Sequence, residues 1–312
     1  MRKIIALFIL FSFAFSIVNA QEDLTYQQPP KEILELADAP LTPSVRIDDK
    51  NKNIVLLYRN KYKSIAELSE TELRLAGLRI NPVTNIGSRT TYYFNMALMK
   101  IGKKEVLKVN GLPTSPRLAN FSWSPDQTKM AFTNTVPDGV ELWVLDIADA
   151  SCKKLTEATL NANVGRPFSW FTNGQSFLVR FLPDDKKPLI DKSTAVPTGP
   201  RVSVSDGEKA QNRTYQDLLQ DKADEFNFEQ LVRSTIYKVD LDGNKKLWKE
   251  TAMYAGMSFS PDGEYVLIST LHKPFSYIVT LSRFPSKTVI FDKNGNEIKV
   301  LLESPLEEVR PK

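Results

Sequence analysis

A turn-plus-strand unit that recurs along this chain of 312 residues limits its fold more than any other feature. The clearest copy covers residues 121–157, where Trp123 leads into the turn Ser124-Pro125-Asp126-Gln127 and then the apolar strand Met130-Ala131-Phe132. A second strand over residues 140–147 and a polar closing segment complete the unit. Proline presets one turn dihedral, and short Ser and Asp side chains bond their own backbone, so such a tetrad reverses the chain between two strands. Phe259-Ser260-Pro261-Asp262-Gly263 repeats the signal before residues 266–268, and Trp170-Phe171-Thr172-Asn173-Gly174 is a degenerate copy before residues 177–179. A fourth start lies near Ile47, where Asp48-Asp49-Lys50-Asn51 precedes Ile54-Val55-Leu56-Leu57.

The closing halves repeat as well. Residues 142–157, 235–250 and 288–303 each read strand, polar turn, strand, with Asp242-Gly243-Asn244 and Asn294-Gly295-Asn296 as hairpin turns. The step from Trp123 to Trp170 fits the ~40–50 residues of one four-stranded blade, and the longer steps on either side imply insertions. The expected fold is therefore all-β: a β-propeller over residues 45–312 with four visible blades starting near 47, 123, 170 and 259. Residues 183–231 read as an insertion at the rim. Its proline- and charge-rich first half gives way to Tyr215, Leu218, Leu219, Phe226 and Phe228 in polar surroundings, a helical pattern. Residues 21–44 form an extended lead-in with one short helix, Lys31–Ala37, and residues 65–75 a charged amphipathic stretch.

Arg2-Lys3, an apolar run over residues 4–18 and small residues at Val18-Asn19-Ala20 make residues 1–20 a secretory signal. The run is shorter than the ~20 residues that span a bilayer, so the mature chain is expected to begin at Gln21, exported to the periplasm or beyond and not membrane-spanning. The formal charge is +4, and loss of Arg2 and Lys3 leaves a nearly neutral chain with no nucleic-acid surface. Cys152 is the single cysteine, which excludes an internal disulfide and a cysteine-based metal cluster. Nothing beside it in sequence lowers a thiol pKa, so it reads as a small, partly buried residue.

The acidic pairs Asp48-Asp49, Asp184-Asp185 and Glu307-Glu308 lack the ligand spacing of a calcium loop and read as solvated turns; no metal and no cofactor are expected. The lysine pairs at 103, 153, 186 and 245 are solubility charges on turns. Trp123, Trp143, Trp170 and Trp248 fall at strand positions and read as blade core. Arg79, Arg89, Arg201 and Arg233 are the arginines considered for an acidic peptide, since a guanidinium meets a carboxylate at two points; sequence does not choose among them.

Several stretches then carry a family likeness. Tyr26-Gln27-Gln28-Pro29-Pro30-Lys31-Glu32-Ile33 with Asp38-Ala39-Pro40, and Leu75-Ala76-Gly77-Leu78-Arg79-Ile80-Asn81-Pro82 with Ser88-Arg89, open the series. Gly199-Pro200, Arg213-Thr214-Tyr215-Gln216-Asp217-Leu218-Leu219, Leu271-His272-Lys273-Pro274-Phe275-Ser276-Tyr277-Ile278-Val279 and Arg283-Phe284-Pro285 continue it in order. On these residues the chain resembles prolyl oligopeptidase-family serine peptidases, in the branch of the glutamyl endopeptidases. The resemblance implies a seven-bladed propeller stacked on an α/β-hydrolase domain, with peptides cleaved by a serine nucleophile in the cavity between them.

The chain matches only the propeller side of that pattern. No Gly-x-Ser-x-Gly elbow occurs, and His272, the single histidine, falls in a propeller segment and not at a triad position. No catalytic residue is assigned. The expectation is a partial propeller of an exported serine endopeptidase that gates or docks peptide substrate, cut short and non-catalytic alone. Two alternatives stay open: an autonomous envelope propeller that binds proteins or peptides, and one half of a split peptidase whose hydrolase half is separately encoded.

Overall fold

The structure, a computed structural model, describes residues 28–194 and 215–309. The segment 1–20 expected to be a secretory signal, Gly199-Pro200 and Arg201 lie outside the described residues. The chain divides into two compact units, 1–41 and 42–312. In the first, Lys31–Ala37 forms helix α1, opened by Pro30 at its N-cap, with none of its residues buried. Everything below concerns the second unit.

Nineteen described strands build five antiparallel sheets, four of four strands and one of three. Sheet 1 orders β1 (Ser44–Ile47), β2 (Asn53–Tyr58), β6 (Asn95–Lys100) and β7 (Val106–Lys108). Sheet 2 is the meander β8 (Leu118–Trp123), β9 (Lys129–Val136), β10 (Gly139–Asp146) and β11 (Ser151–Lys154). Sheet 3 holds β12 (Phe168–Trp170), β13 (Ser176–Phe181), β14 (Ser234–Asp240) and β15 (Lys245–Ala252). Sheet 4 holds β16 (Tyr254–Phe259), β17 (Tyr265–Leu271), β18 (Ser286–Asp292) and β19 (Glu297–Ser304). Each has the up-and-down order of a propeller blade.

Successive side chains on a strand point to opposite faces, and the inner sheets use both. On β9, Met130 and Phe132 join Val55, Leu57, Met96 and Leu98 of sheet 1, while Ala131 joins Phe177 and Val179 of sheet 3. On β13 the alternation repeats: Phe177 and Val179 meet sheet 2, and Leu178 meets Val266, Ile268 and Phe291 of sheet 4. A strand buried on both faces reads as a continuous apolar run, which is why residues 130–132 and 177–179 stand out in the sequence. Burying one such Phe or Leu stabilises the stack by about 1.5–3 kcal/mol relative to leaving it exposed.

The recurring tetrads are turns with one shared bonding scheme. Ser124 Oγ donates to Asp126 Oδ1 at 2.6 Å and accepts from Lys129 N at 2.9 Å; Ser260 Oγ donates to Asp262 Oδ1 at 2.5 Å and accepts from Tyr265 N at 3.0 Å. These groups shape strand connections and are engaged there. Turns of neighbouring sheets also touch. Asp49 N donates to Gln127 Oε1 at 3.0 Å, and Gly263, at φ +73°, lies so close to Thr172 that an added Cβ would sit 2.1 Å from its hydroxyl oxygen.

One element was not foreseen. Residues 65–75 are not a single amphipathic stretch: Ile65–Leu68 is a helical turn, α2, capped by Ser64 and Glu67, and Leu73–Leu75 is strand β3. With β4 (Leu78–Asn81) and β5 (Ile86–Gly87) it makes the fifth, three-stranded sheet. Residues 65–75 are too short and too charged to declare a sheet whose partners arrive only with residues 78–87.

Candidate functional site

In an up-and-down sheet, the first and third connections lie at one end of the strands and the second lies at the other, beside the exit to the next sheet. The second connections of sheets 1, 3 and 4 are the long ones, over residues 59–94, 182–233 and 272–285; in sheet 2 only Pro137 and Asp138 intervene. Every large insertion therefore emerges at the corresponding end of its sheet.

The three insertions converge. Leu75, Ile80, Leu219, Phe228, Leu231, Leu271, Phe275 and Phe284 form a separate apolar core, to which helix α3 (Lys222–Val232) contributes Phe228, Leu231 and Val232. Asp221 caps α3 by accepting from Asp224 N at 2.9 Å. Phe228 meets Phe275 and Phe284 edge to face, at ring separations of 5.1 and 5.7 Å. Backbone bonds cross between insertions: Gly77 N donates to Asp217 O at 2.8 Å and Leu281 N to Ala76 O at 2.9 Å.

Charged pairs reinforce the same junction. Arg79 Nε donates to Asp217 Oδ2 at 2.7 Å, Lys273 pairs with Glu229 at 2.7 Å, and Tyr277 donates to Glu225 at 2.5 Å. Glu72 accepts from Ser88 Oγ at 2.5 Å and from the Nε atoms of Arg74 and Arg89, each at 3.0 Å. The Ser88 hydrogen bond above all, with help from Arg89 and Arg74, outweighs desolvation and holds its carboxyl down at about 2.

A third device fastens the sheet-to-sheet connections. Arg180 on β13 is fully buried and donates to the carbonyls of Val164, Arg166 and Tyr254. Burial without a carboxylate partner pushes its guanidinium down to about 10.

The residues weighed from sequence are placed as follows. Arg79 and Arg89 are committed to Asp217 and Glu72, and Arg233 to Asp185 at 2.7 Å. Asp48 caps its own turn, accepting from Lys52 N at 2.7 Å; Glu307 pairs with Arg283 at 3.0 Å and Glu308 accepts from Ser276 at 2.6 Å. Among the described residues, no group of three or more His, Cys, Asp or Glu is placed to hold a metal ion. His272 Nε2 lies 2.9 Å from Thr270 Oγ1, and its backbone N–H donates to Pro285 O at 2.7 Å. Cys152 is half-buried, and desolvation pushes its thiol up to about 12, which leaves it unreactive as a nucleophile.

Sequence reasoning passed over Arg117, in the connection from sheet 1 to sheet 2. Its guanidinium lies over the Tyr92 ring at 4.3 Å and pairs with Glu70 at 2.9 Å. It lines two clefts, of about 420 and 580 Å³. The first is bounded by residues 59–63, Glu67, Glu70 and residues 91–94; the second by residues 112–115, residues 134–137, Glu141, Trp143 and Lys154. Only the Ser-Pro run before Arg117 marks it in sequence, and that signals a loop.

No protein-family model matches the chain. It is 31% identical over 302 residues to a probable chloroplastic glutamyl endopeptidase of Oryza sativa subsp. japonica, and 30% identical over 304 residues to the corresponding Arabidopsis thaliana protein. The chain is similar in sequence to these two proteins. The matches cover 92% of this chain but 32% and 31% of those proteins, so it spans about a third of the length of the curated relatives. A solved prolyl endopeptidase is similar in structure at TM-score 0.46 and 14% identity, over 89% of this chain and 32% of that one.

Three of the stretches that carry the likeness meet in the insertion core. Residues 75–82 lie on β3 and β4, residues 215–219 run up to α3, and residues 271–285 join β17 to β18. Their specific residues are explained by contacts: Gly77, at φ +86°, is pressed against Thr280, and Asp217 receives Arg79.

Proposed function

We propose that this chain is the propeller portion of an exported serine endopeptidase of the prolyl oligopeptidase type, non-catalytic by itself. In this reading its insertion-bearing end docks a hydrolase domain and gates peptide access. The observation that carries it is the convergence of three family-like stretches, in residues 75–82, 215–219 and 271–285, into one core at that end of the sheets. The chemistry of the described residues agrees: the one histidine is bonded to Thr270 and a backbone carbonyl, and the prominent serines at 124 and 260 are locked in turns.

The four sheets are read as consecutive blades of a larger ring. Supporting this, apolar side chains stay open on the two outermost sheets, at Val45 and Ile47 of sheet 1 and at Ile298, Leu301 and Leu302 of sheet 4. Such exposed apolar surface calls for a covering partner.

Purified chain incubated with glutamyl peptide substrates tests the catalytic half of the proposal. No hydrolysis is expected; turnover abolished by a serine-directed inhibitor would overturn it. Export is tested by N-terminal sequencing of the periplasmic protein, which is expected to start at Gln21; full-length chain confined to the cytosol would contradict it.

A further inference from the structure

We infer that the exposed run of residues 59–68 is a peripheral anchor for an anionic lipid surface. On it Tyr62, Ile65 and Leu68 are 67%, 85% and 69% exposed. Single apolar side chains scattered over a surface need no explanation, but these three stand on one short run. Ile65 and Leu68 are three residues apart on α2 and share one face of its single turn. None of the three packs into the insertion core or into a core between the sheets. Arg59 and Lys63 are exposed on the same run, and Lys61 lies over the Tyr62 ring at 5.7 Å.

The turn is built before any partner arrives. Ser64 Oγ accepts from Glu67 N at 3.1 Å while Glu67 Oε2 accepts from Ser64 N at 3.0 Å, a reciprocal cap that fixes where Ile65 and Leu68 project. The nearby carboxylates are engaged: Glu67 in that cap, and Glu70 with Arg117 and with Asn81 Nδ2, each at 2.9 Å. Lys63 Nζ meets the neutral carbonyl of Ser88 at 3.4 Å, a contact that leaves its charge uncompensated. The run therefore joins protruding apolar groups to cations, which is the complement of an anionic headgroup layer over acyl chains.

Size and shape favour a membrane over a protein. A stable protein interface takes about 800 Å² from each partner, and three side chains on one turn do not supply it. A bilayer surface asks for less: tyrosine sits at headgroup depth, aliphatic side chains enter the acyl boundary, and lysine and arginine meet anionic lipid. No described helix is long and apolar enough to cross a membrane, and the anchor is of the kind that lies on the surface. This site does not rest on the peptidase reading, since it is measured as lipid binding and not as turnover.

The test is amide exchange and co-sedimentation of the full chain with vesicles of phosphatidylcholine alone and of phosphatidylcholine mixed with phosphatidylglycerol. Slowed exchange over residues 59–68 is expected on the mixed vesicles, with partition at least tenfold higher than on the neutral ones. Ile65→Ser combined with Leu68→Ser should lower that partition at least fivefold. Arg59→Gln combined with Lys63→Gln should remove most of the preference for anionic lipid and flatten its salt dependence. These side chains are exposed, so each variant should keep the parent urea midpoint. Every variant also retains residues 1–20, so binding through that apolar run is common to all and drops out of the comparison. Equal partition onto the two kinds of vesicle, undiminished binding by the folded Ile65→Ser, Leu68→Ser variant, or protection confined to residues outside 59–68 would overturn the proposal. So would self-association of the chain in place of vesicle binding, lost in the same variant, which would assign this face to a second copy.

Discussion

The four sheets and the insertion core are stabilised in different ways. In the sheets, neighbours in sequence are neighbours in space: Ser124 bonds Asp126 and Lys129, Asp292 bonds Asn294 and Asn296, and every strand pairs with one or both of its successive partners. In the insertion core the partners are remote, as in Arg79 with Asp217 or Ala76 with Leu281. The sheets are thus a repeat whose units resemble one another, whereas the core is a single object assembled once from three loops. Repeats tolerate degenerate copies such as residues 170–174. A core built once depends on each contributor.

That contrast can be broken by substitution. The largest effect is expected from Phe228→Ala, which empties the centre of the insertion core and should cost roughly 3–5 kcal/mol. Urea unfolding monitored by tryptophan fluorescence checks it, because all four tryptophans lie in the sheets or on their strands. If sheets and core unfold as one unit, the single transition moves to lower urea; if the core is separate, the tryptophan signal keeps its midpoint while amide exchange in α3 accelerates.

Next comes Arg180→Met, which removes the donor from the carbonyls of Val164, Tyr254 and Arg166, the first two in buried bonds. Stranding them should cost about 2–4 kcal/mol, read as a lower urea midpoint with an unchanged slope. Gly263→Ala should cost on the order of 1–2 kcal/mol, because it combines a left-handed backbone with a collision against Thr172. Thr172→Ala should recover part of that loss, a coupling that an uncrowded turn would not show.

The smallest expected effect is electrostatic. Glu72 is held at about 2 in the folded chain against an ordinary value of 4.5, so it contributes stability that is fully present above pH 4.5 and drains as pH falls toward 2. Glu72→Gln should make the urea midpoint less sensitive to acid between pH 5 and 3. An unchanged pH slope in that variant would remove Glu72 from the account of how the insertions are held.

The same contrast explains what was legible in the sequence. The strand after Trp123 and the turn at Asn294-Gly295-Asn296 declare themselves through local composition, because proline, glycine and short polar side chains fix backbone geometry within a few residues. The small sheet of β3, β4 and β5 does not, since its three strands are only three, four and two residues long and its buried face looks onto α3 and residues 275–284. Arg79 and Arg89 looked available for a ligand because Asp217 and Glu72, which neutralise them, are set by the fold and not by adjacency. Arg117 was overlooked for the converse reason: its partners Tyr92 and Glu70 are 25 and 47 positions away.

We propose that this chain supplies architecture and docking to a peptidase and performs no acyl transfer alone. Active-site titration of the purified chain with a fluorophosphonate, read by intact mass, tests it most directly. The account predicts no adduct on any serine, with or without glutamyl peptide. A stoichiometric adduct on one serine, protected by that peptide, would contradict it.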